Sequence, residues 1–146
     1  MVIQKATMEE TKWILNHSLT VMEEATAGHV HPNPFLVEQL MLPILREGGY
    51  YLVFKEDENI QGWTGIGRQF DPYKQAFAGV IIELYVLPAY RGRKIAEKLC
   101  LSALQRLKQS GFRHVQLNVF AGNGGAKHLY EKLGFTDISV LMEKEL

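Results

Sequence analysis

Cysteine is nearly absent: Cys100 stands alone among 146 residues. That excludes an internal disulfide framework and denies a metal cluster its usual thiolates. An excess of charge is missing too, because 16 basic residues balance 16 acidic ones. No global field would therefore draw the chain to nucleic acid or to an anionic membrane, and neither is expected as a partner. No apolar run approaches the length of a bilayer span, and Met1-Val2-Ile3-Gln4-Lys5 lacks the apolar stretch of a signal peptide. A cytoplasmic protein is expected. Internal repeats and low-complexity tracts are absent, and no G-x-G-x-x-G follows a first strand, which argues against a dinucleotide-binding domain. His29 and His31 have no acid or thiolate near them in sequence, so no metal is expected. What remains, 47% hydrophobic and 22% charged, is the composition of one compact domain over residues 1–146.

The elements follow from caps and periodicity. Thr7-Met8-Glu9-Glu10 is a capping box and starts a first helix. Asn33-Pro34 starts a second, which Pro43 should kink or end. Ala27 to Pro32 has the breakers of a loop. Tyr50 to Phe54 and Ile60 to Gly67 form strands joined by the polar turn Glu56 to Asn59. After a loop at Asp71 to Gln75, the apolar run Ala78 to Leu87 suits a buried central strand. Ala96, Leu99, Cys100, Ala103, Leu104 and Leu107 then mark one face of a helix, with Gly111 placed to stop it. Val115, Leu117 and Val119 alternate as a further strand. Asn123 leads into a short helix closed by Gly134, and Ile138 to Met142 is strand-like.

Two segments carry chemistry. In the first, Leu84 to Ala96, a strand and a short turn lead into a helix start that bears Arg91, Arg93 and Lys94. Unpaired N–H groups at a helix start, helped by the macrodipole, hold an anion, and the small residues Gly92 and Ala96 let its oxygens approach the backbone. An ordinary turn with a solvated basic edge is the competing reading. The second segment runs Asn123-Gly124-Gly125-Ala126-Lys127-His128-Leu129-Tyr130-Glu131-Lys132-Leu133-Gly134-Phe135. Asn123 fits an N-cap there and Tyr130 a core position.

The first segment resembles the R-x-x-G-x-G/A fingerprint of the GNAT superfamily, read here as Arg91-Gly92-Arg93-Lys94-Ile95-Ala96. The second matches the superfamily's N-x-x-A-x-x-L/F-Y-x-K-x-G-F pattern in full. Together they cover roughly the carboxyl-terminal half, in the expected order. The resemblance implies an α/β (α+β) fold with a mixed, mostly antiparallel central sheet flanked by helices. It implies an acetyl-CoA-dependent N-acetyltransferase acting on a primary amine in a ternary complex, the acceptor being a small molecule or a protein amino group. Amides from Arg93 to Ala96, Lys94 and Ile95 included, would hold the coenzyme A pyrophosphate. The open edge of Tyr85 and Val86 would pair with the pantetheine arm, Asn123 would contact that arm, and Tyr130 would lie near the sulfur. A homodimer is expected by analogy. Lys94 departs from the pattern, which usually has glycine there; either its side chain points outward or coenzyme affinity falls.

An alkylammonium with a pKa near ~10.4 needs a proton acceptor before it can attack a thioester. Glu83, in the central strand, is the candidate, and a structural ion pair with an arginine is its alternative. Tyr130 would give a proton to the leaving thiolate, and the Val86 N–H would hold the oxyanion. Cys100 lies on the apolar stripe and reads as a small core residue. Trp63, Phe70, Tyr73 and Phe77 receive no role. The other reading is a non-catalytic acyl-CoA-binding or regulatory module, for which Lys94 is the main support.

Overall fold

The computed structural model describes residues 1–31 and 33–146, so Pro32, the end of the expected first loop, lies outside the described residues. Strands β1 (Val2–Lys5), β2 (Tyr50–Glu56), β3 (Asn59–Asp71), β4 (Ala76–Val86) and β5 (Val115–Gln116) form one sheet in the order β1-β2-β3-β4-β5. The first four run antiparallel, and β5 joins β4 in parallel. Helices α1 (Met8–Ala25), α2 (Pro34–Arg46), α3 (Ile95–Gln109) and α4 (Gly124–Lys132) complete the chain. The mixed, mostly antiparallel sheet flanked by helices is the expected one.

Strand alternation divides the core between the two faces of the sheet. Tyr51, Val53 and Trp63 pack with Ile14 and Val21 of α1. Leu52, Phe54, Ile66 and Ile81 face the other way, toward Leu99, Cys100 and Leu107 of α3. Both faces are covered, which is why β2 and the centre of β4 read as continuous apolar runs rather than as an alternation.

Local chemistry sets the helix ends. The Thr7 hydroxyl accepts from the Glu10 N–H at 3.1 Å and the Glu10 carboxylate accepts from the Thr7 N–H at 2.9 Å, closing the capping box. Asn33 caps α2 through its side chain at 3.0 Å. Of the two expectations for Pro43, a kink or an end, the end does not hold, because α2 continues to Arg46. Its last turn is retained because Leu45 packs into the core beneath α1. Gly111 and Gly134, both at φ 96°, stop α3 and α4 in the left-handed conformation that glycine adopts without strain.

Two strand expectations are corrected. The Val115 to Val119 alternation makes a ladder only over Val115–Gln116. Ile138 to Met142 makes none, and its Ile138, Val140, Leu141 and Met142 are 81%, 76%, 98% and 86% exposed. Alternation gives a segment a face to bury, but a strand also needs a neighbouring edge long enough to pair with, and β5 is too short to supply one.

Candidate active site

Strand β4 positions the site. Gly65 pairs with Glu83 and Ile66 with Ile81, so Ile82 is an extra residue on β4. Such a bulge bends its strand. β4 pairs with β5 only at Gly79 and Val80 and then continues to Val86 beyond the end of β5. Among the described residues its far half therefore has no strand partner on that side. Leu87 N–H donates to the Gln61 carbonyl at 2.9 Å, so by strand alternation the polar groups of Val86 point to the free edge. The Val86 carbonyl accepts there from Arg91 Nε at 2.9 Å.

Beyond β4 a 3-10 turn, Pro88–Tyr90, leads into Arg91 to Lys94 and the start of α3. Gly92 (φ 81°) and Lys94 (φ 61°) both lie in the left-handed region. Among the described residues no side chain caps α3, whose first backbone bond runs from Lys98 N–H to the Lys94 carbonyl. The amides before it are left for an outside acceptor, which suits a phosphate group. A cleft of about 700 Å³ opens here, bounded by Val86, Arg91, Lys94 and Ile95 on one side and by Asn123 and Ala126 of α4 on the other. Tyr85, Gly92 and Ala96 also reach it, whereas Arg93 does not line it and instead lies over the Tyr90 ring, 5.7 Å from its centroid. Lys94 is exposed and lines the cleft, and it precedes the helix in a strained conformation rather than belonging to the first turn.

Glu83 is 7% exposed on the α1 face of the sheet. One carboxylate oxygen accepts from Tyr51 OH at 3.0 Å and the other from Trp63 Nε1 at 3.2 Å. Both donors are neutral, and among the described residues no arginine pairs with Glu83, so the ion-pair alternative does not hold. Burial pushes the Glu83 carboxyl up to about 7, partly opposed by the hydrogen bonds from Trp63 and Tyr51. Burial, with Glu83 beside it, likewise raises the Tyr51 phenol. Strand register explains this arrangement. Tyr51, Gly65 and Glu83 form one row across β2, β3 and β4. A Cβ on Gly65 would stand 2.9 Å from the Tyr51 ring and 2.8 Å from Ile82, so only glycine lets the tyrosine lean across to the acid.

The other expected residues are distributed unevenly. Asn123 is at the cleft, where its Oδ1 accepts from Ala126 N–H and its Nδ2 donates to the Ala25 carbonyl, each at 3.4 Å. It is thus an N-cap and a tie to α1 together. Tyr130 does not line the cleft. It packs edge to face with Phe135, ring centroids 5.8 Å apart, against the α3 core, and burial pushes its phenol up to about 12. Cys100 is fully buried with its thiol raised to about 11, as suits a core residue. Sequence reasoning missed Tyr51 and Glu24 and left Trp63 without a role. Glu24, in the last turn of α1, accepts from Tyr85 OH at 3.1 Å and pairs with Arg91 at 2.9 Å. For Tyr51 the signal was available, since the hairpin register sets it beside Gly65; for Glu24 there was none, because its contact spans 67 positions.

A family model described as the acetyltransferase (GNAT) family matches residues 14–135. The chain is similar to an uncharacterized N-acetyltransferase, YycN of Bacillus subtilis (strain 168), with 33% identity over 91 residues, covering 62% of this chain and 56% of that protein. It is also similar to the N-alpha-acetyltransferase MAK3 of Arabidopsis thaliana, with 41% identity over 63 residues, covering 43% of this chain and 33% of that one. The chain thus spans about half the length of these relatives or less. The crystal structure of YycN superposes with a TM-score of 0.77 at 25% identity, over 99% of each chain.

Proposed function

The chain belongs to the acetyltransferase (GNAT) family, and from that premise we propose that it transfers an acetyl group from acetyl-CoA to a primary amine by direct attack in a ternary complex. The observation that carries this reading is the uncapped start of α3, flanked by Arg91 and Lys94, opening into the same cleft as the free edge of β4.

The residues present suit coenzyme A. Gly92 and Lys94 turn the backbone so that the amides at the start of α3 can face a diphosphate, and Arg91 and Lys94 add positive charge. Val86 offers the amide-bearing arm an edge that no strand covers, its carbonyl being free once Arg91 leaves it, and Asn123 and Ala126 form the opposite wall. When bound, the thioester supplies the activated acetyl group. Glu83, buried behind the cleft wall, takes the proton from the acceptor ammonium through a water, so that the free amine can form the new C–N bond. With its carboxyl near 7, half of it is ionised at neutral pH, which suits a general base. The Val86 N–H donates to the oxygen on which negative charge gathers. As the C–S bond breaks, Tyr130 gives its proton to the departing sulfur once α4 has adjusted to the filled cleft, the sulfur leaves as the thiol, and the second proton of the attacking nitrogen restores the phenol. Held near 12, its phenol keeps its own proton over the physiological range.

The protein incubated with acetyl-CoA and a panel of primary amines should release free coenzyme A thiol in proportion to acetylated amine. Glu83→Gln should retain acetyl-CoA binding and lose turnover by roughly 10²–10⁴. The strain at Lys94 favours a second reading, a non-catalytic acyl-CoA-binding module. Tight binding of acetyl-CoA with no acetylated product from any amine would establish it.

A further inference from the structure

The last turn of α1 carries Glu24 into the cleft, and the surroundings of that carboxylate already hold a cation. The Arg91 guanidinium lies between Glu24 Oε2, at 2.9 Å, and the face of the Tyr85 ring, 5.2 Å from its centroid. Tyr85 OH fixes the other Glu24 oxygen at 3.1 Å. The carbonyls that end α1 add negative potential, and no basic residue occupies that turn to cancel it. A carboxylate, an aromatic face and a helix C-terminus together recognise a positive group on a ligand.

Arg91 has a competing claim on it, because it begins the turn that suits a diphosphate. Its bond to Glu24 joins side chains that are 48% and 44% exposed, and such pairs are weak and readily exchanged. The same guanidinium covers the Val86 carbonyl on the free edge of β4. Movement of Arg91 onto a diphosphate would release both that edge and Glu24. Glu24 is also separated from Glu83. Tyr85 stacks on Trp63 with ring centroids 5.1 Å apart, and Trp63 in turn donates to Glu83. Two rings therefore lie between the carboxylates, and one ammonium cannot serve both.

We propose that Glu24 is a specificity-determining residue that anchors a second positive group on the acceptor, so that the favoured acceptor is a dicationic amine, held at Glu24 once the cofactor has drawn Arg91 away. This rests on the acetyltransferase reading above.

The test is calorimetric titration of protein saturated with coenzyme A, using 1,4-diaminobutane and n-butylamine as probes. Binding of the diamine at least roughly tenfold tighter than the monoamine is expected, and Glu24→Gln should erase that difference while leaving coenzyme A affinity equal or higher. Glu24→Asp should restore part of it. The inference is overturned if wild-type protein binds neither amine or binds both alike, or if Glu24→Gln keeps the preference. Failure of coenzyme A itself to bind would instead overturn the acetyltransferase reading, so the two failures are distinguishable.

Discussion

Replacing Glu83 with glutamine should stabilise the protein above neutral pH while lowering turnover by roughly 10²–10⁴. The Glu83 carboxyl stands near 7 in the folded chain against a reference value of 4.5. A raised acid binds its proton more tightly when folded, so its contribution is fully present below pH 4.5 and is lost as pH rises through about 7. At about 1.4 kcal/mol per unit, the loss across that window is about 3 kcal/mol. Glutamine carries no charge to bury. Its amide oxygen can accept from Trp63 Nε1, and its NH₂ can donate to a Tyr51 hydroxyl turned to act as acceptor, so the site stays satisfied. The variant should match the wild type near pH 4.5 and exceed it at pH 8, where its unfolding midpoint should lie roughly 9 °C higher, at roughly 3 °C per kcal/mol for a chain of this size. Thermal unfolding of both proteins between pH 4.5 and 8 measures this. Parallel pH profiles for the two proteins would refute the assignment of a buried, titrating Glu83.

Three further substitutions probe the surroundings. Tyr51→Phe removes a donor that stabilises ionised Glu83, so the inflection of the pH–rate profile should move above its wild-type position, near pH 7, and turnover at neutral pH should fall. An unmoved inflection would show that Tyr51 has no hold on the base. Lys94→Gly relieves a left-handed non-glycine residue that costs about 1–2 kcal/mol. Part of that relief is offset by added freedom in the unfolded chain, so denaturant titration should show a gain of about 1 kcal/mol, with tighter acetyl-CoA binding. Gly65→Ala drives a methyl against Ile82 and the Tyr51 ring and should cost about 1–3 kcal/mol in the same titration, with turnover reduced as the Tyr51 contact to Glu83 is displaced.

How legible these features were in the sequence follows from the range of the interactions behind them. The capping box at Thr7, the Asn33 cap and the glycine stops at Gly111 and Gly134 depend on neighbours a few positions away, and the structure has them as read. Pro43, read as a kink or a stop, does not stop α2, because its effect on the local backbone is outweighed by burial of Leu45 on a distant surface. The alternation at Ile138 to Met142 promised a strand that no adjacent edge completes. In the candidate site, the open start of α3 and the Asn123 cap were readable because a helix start is a local device, whereas the turn of Arg93 away from the cleft onto Tyr90 was not. The partners of Glu83 were harder to read: the hairpin register sets Tyr51 beside Gly65, but linking both to Glu83 needs register across three strands, and an arginine was a reasonable expectation for a buried acid until neutral donors were seen in its place. Tyr130 had two readings, a core position from its apolar stripe and a place near the sulfur from the motif, and packing against Phe135 agrees with the first.

The central claim is that the start of α3 holds the diphosphate of acetyl-CoA, and the unfolding midpoint measured with acetyl-CoA and with acetyl-pantetheine tests it most directly. A ligand that binds only the folded chain at 100 times its Kd stabilises it by about 2.7 kcal/mol, roughly 8 °C for a chain of this size. The account predicts a rise of that order with acetyl-CoA and little or none with acetyl-pantetheine, which carries the same thioester but no diphosphate. Equal shifts with the two ligands, or no shift with either, would contradict it.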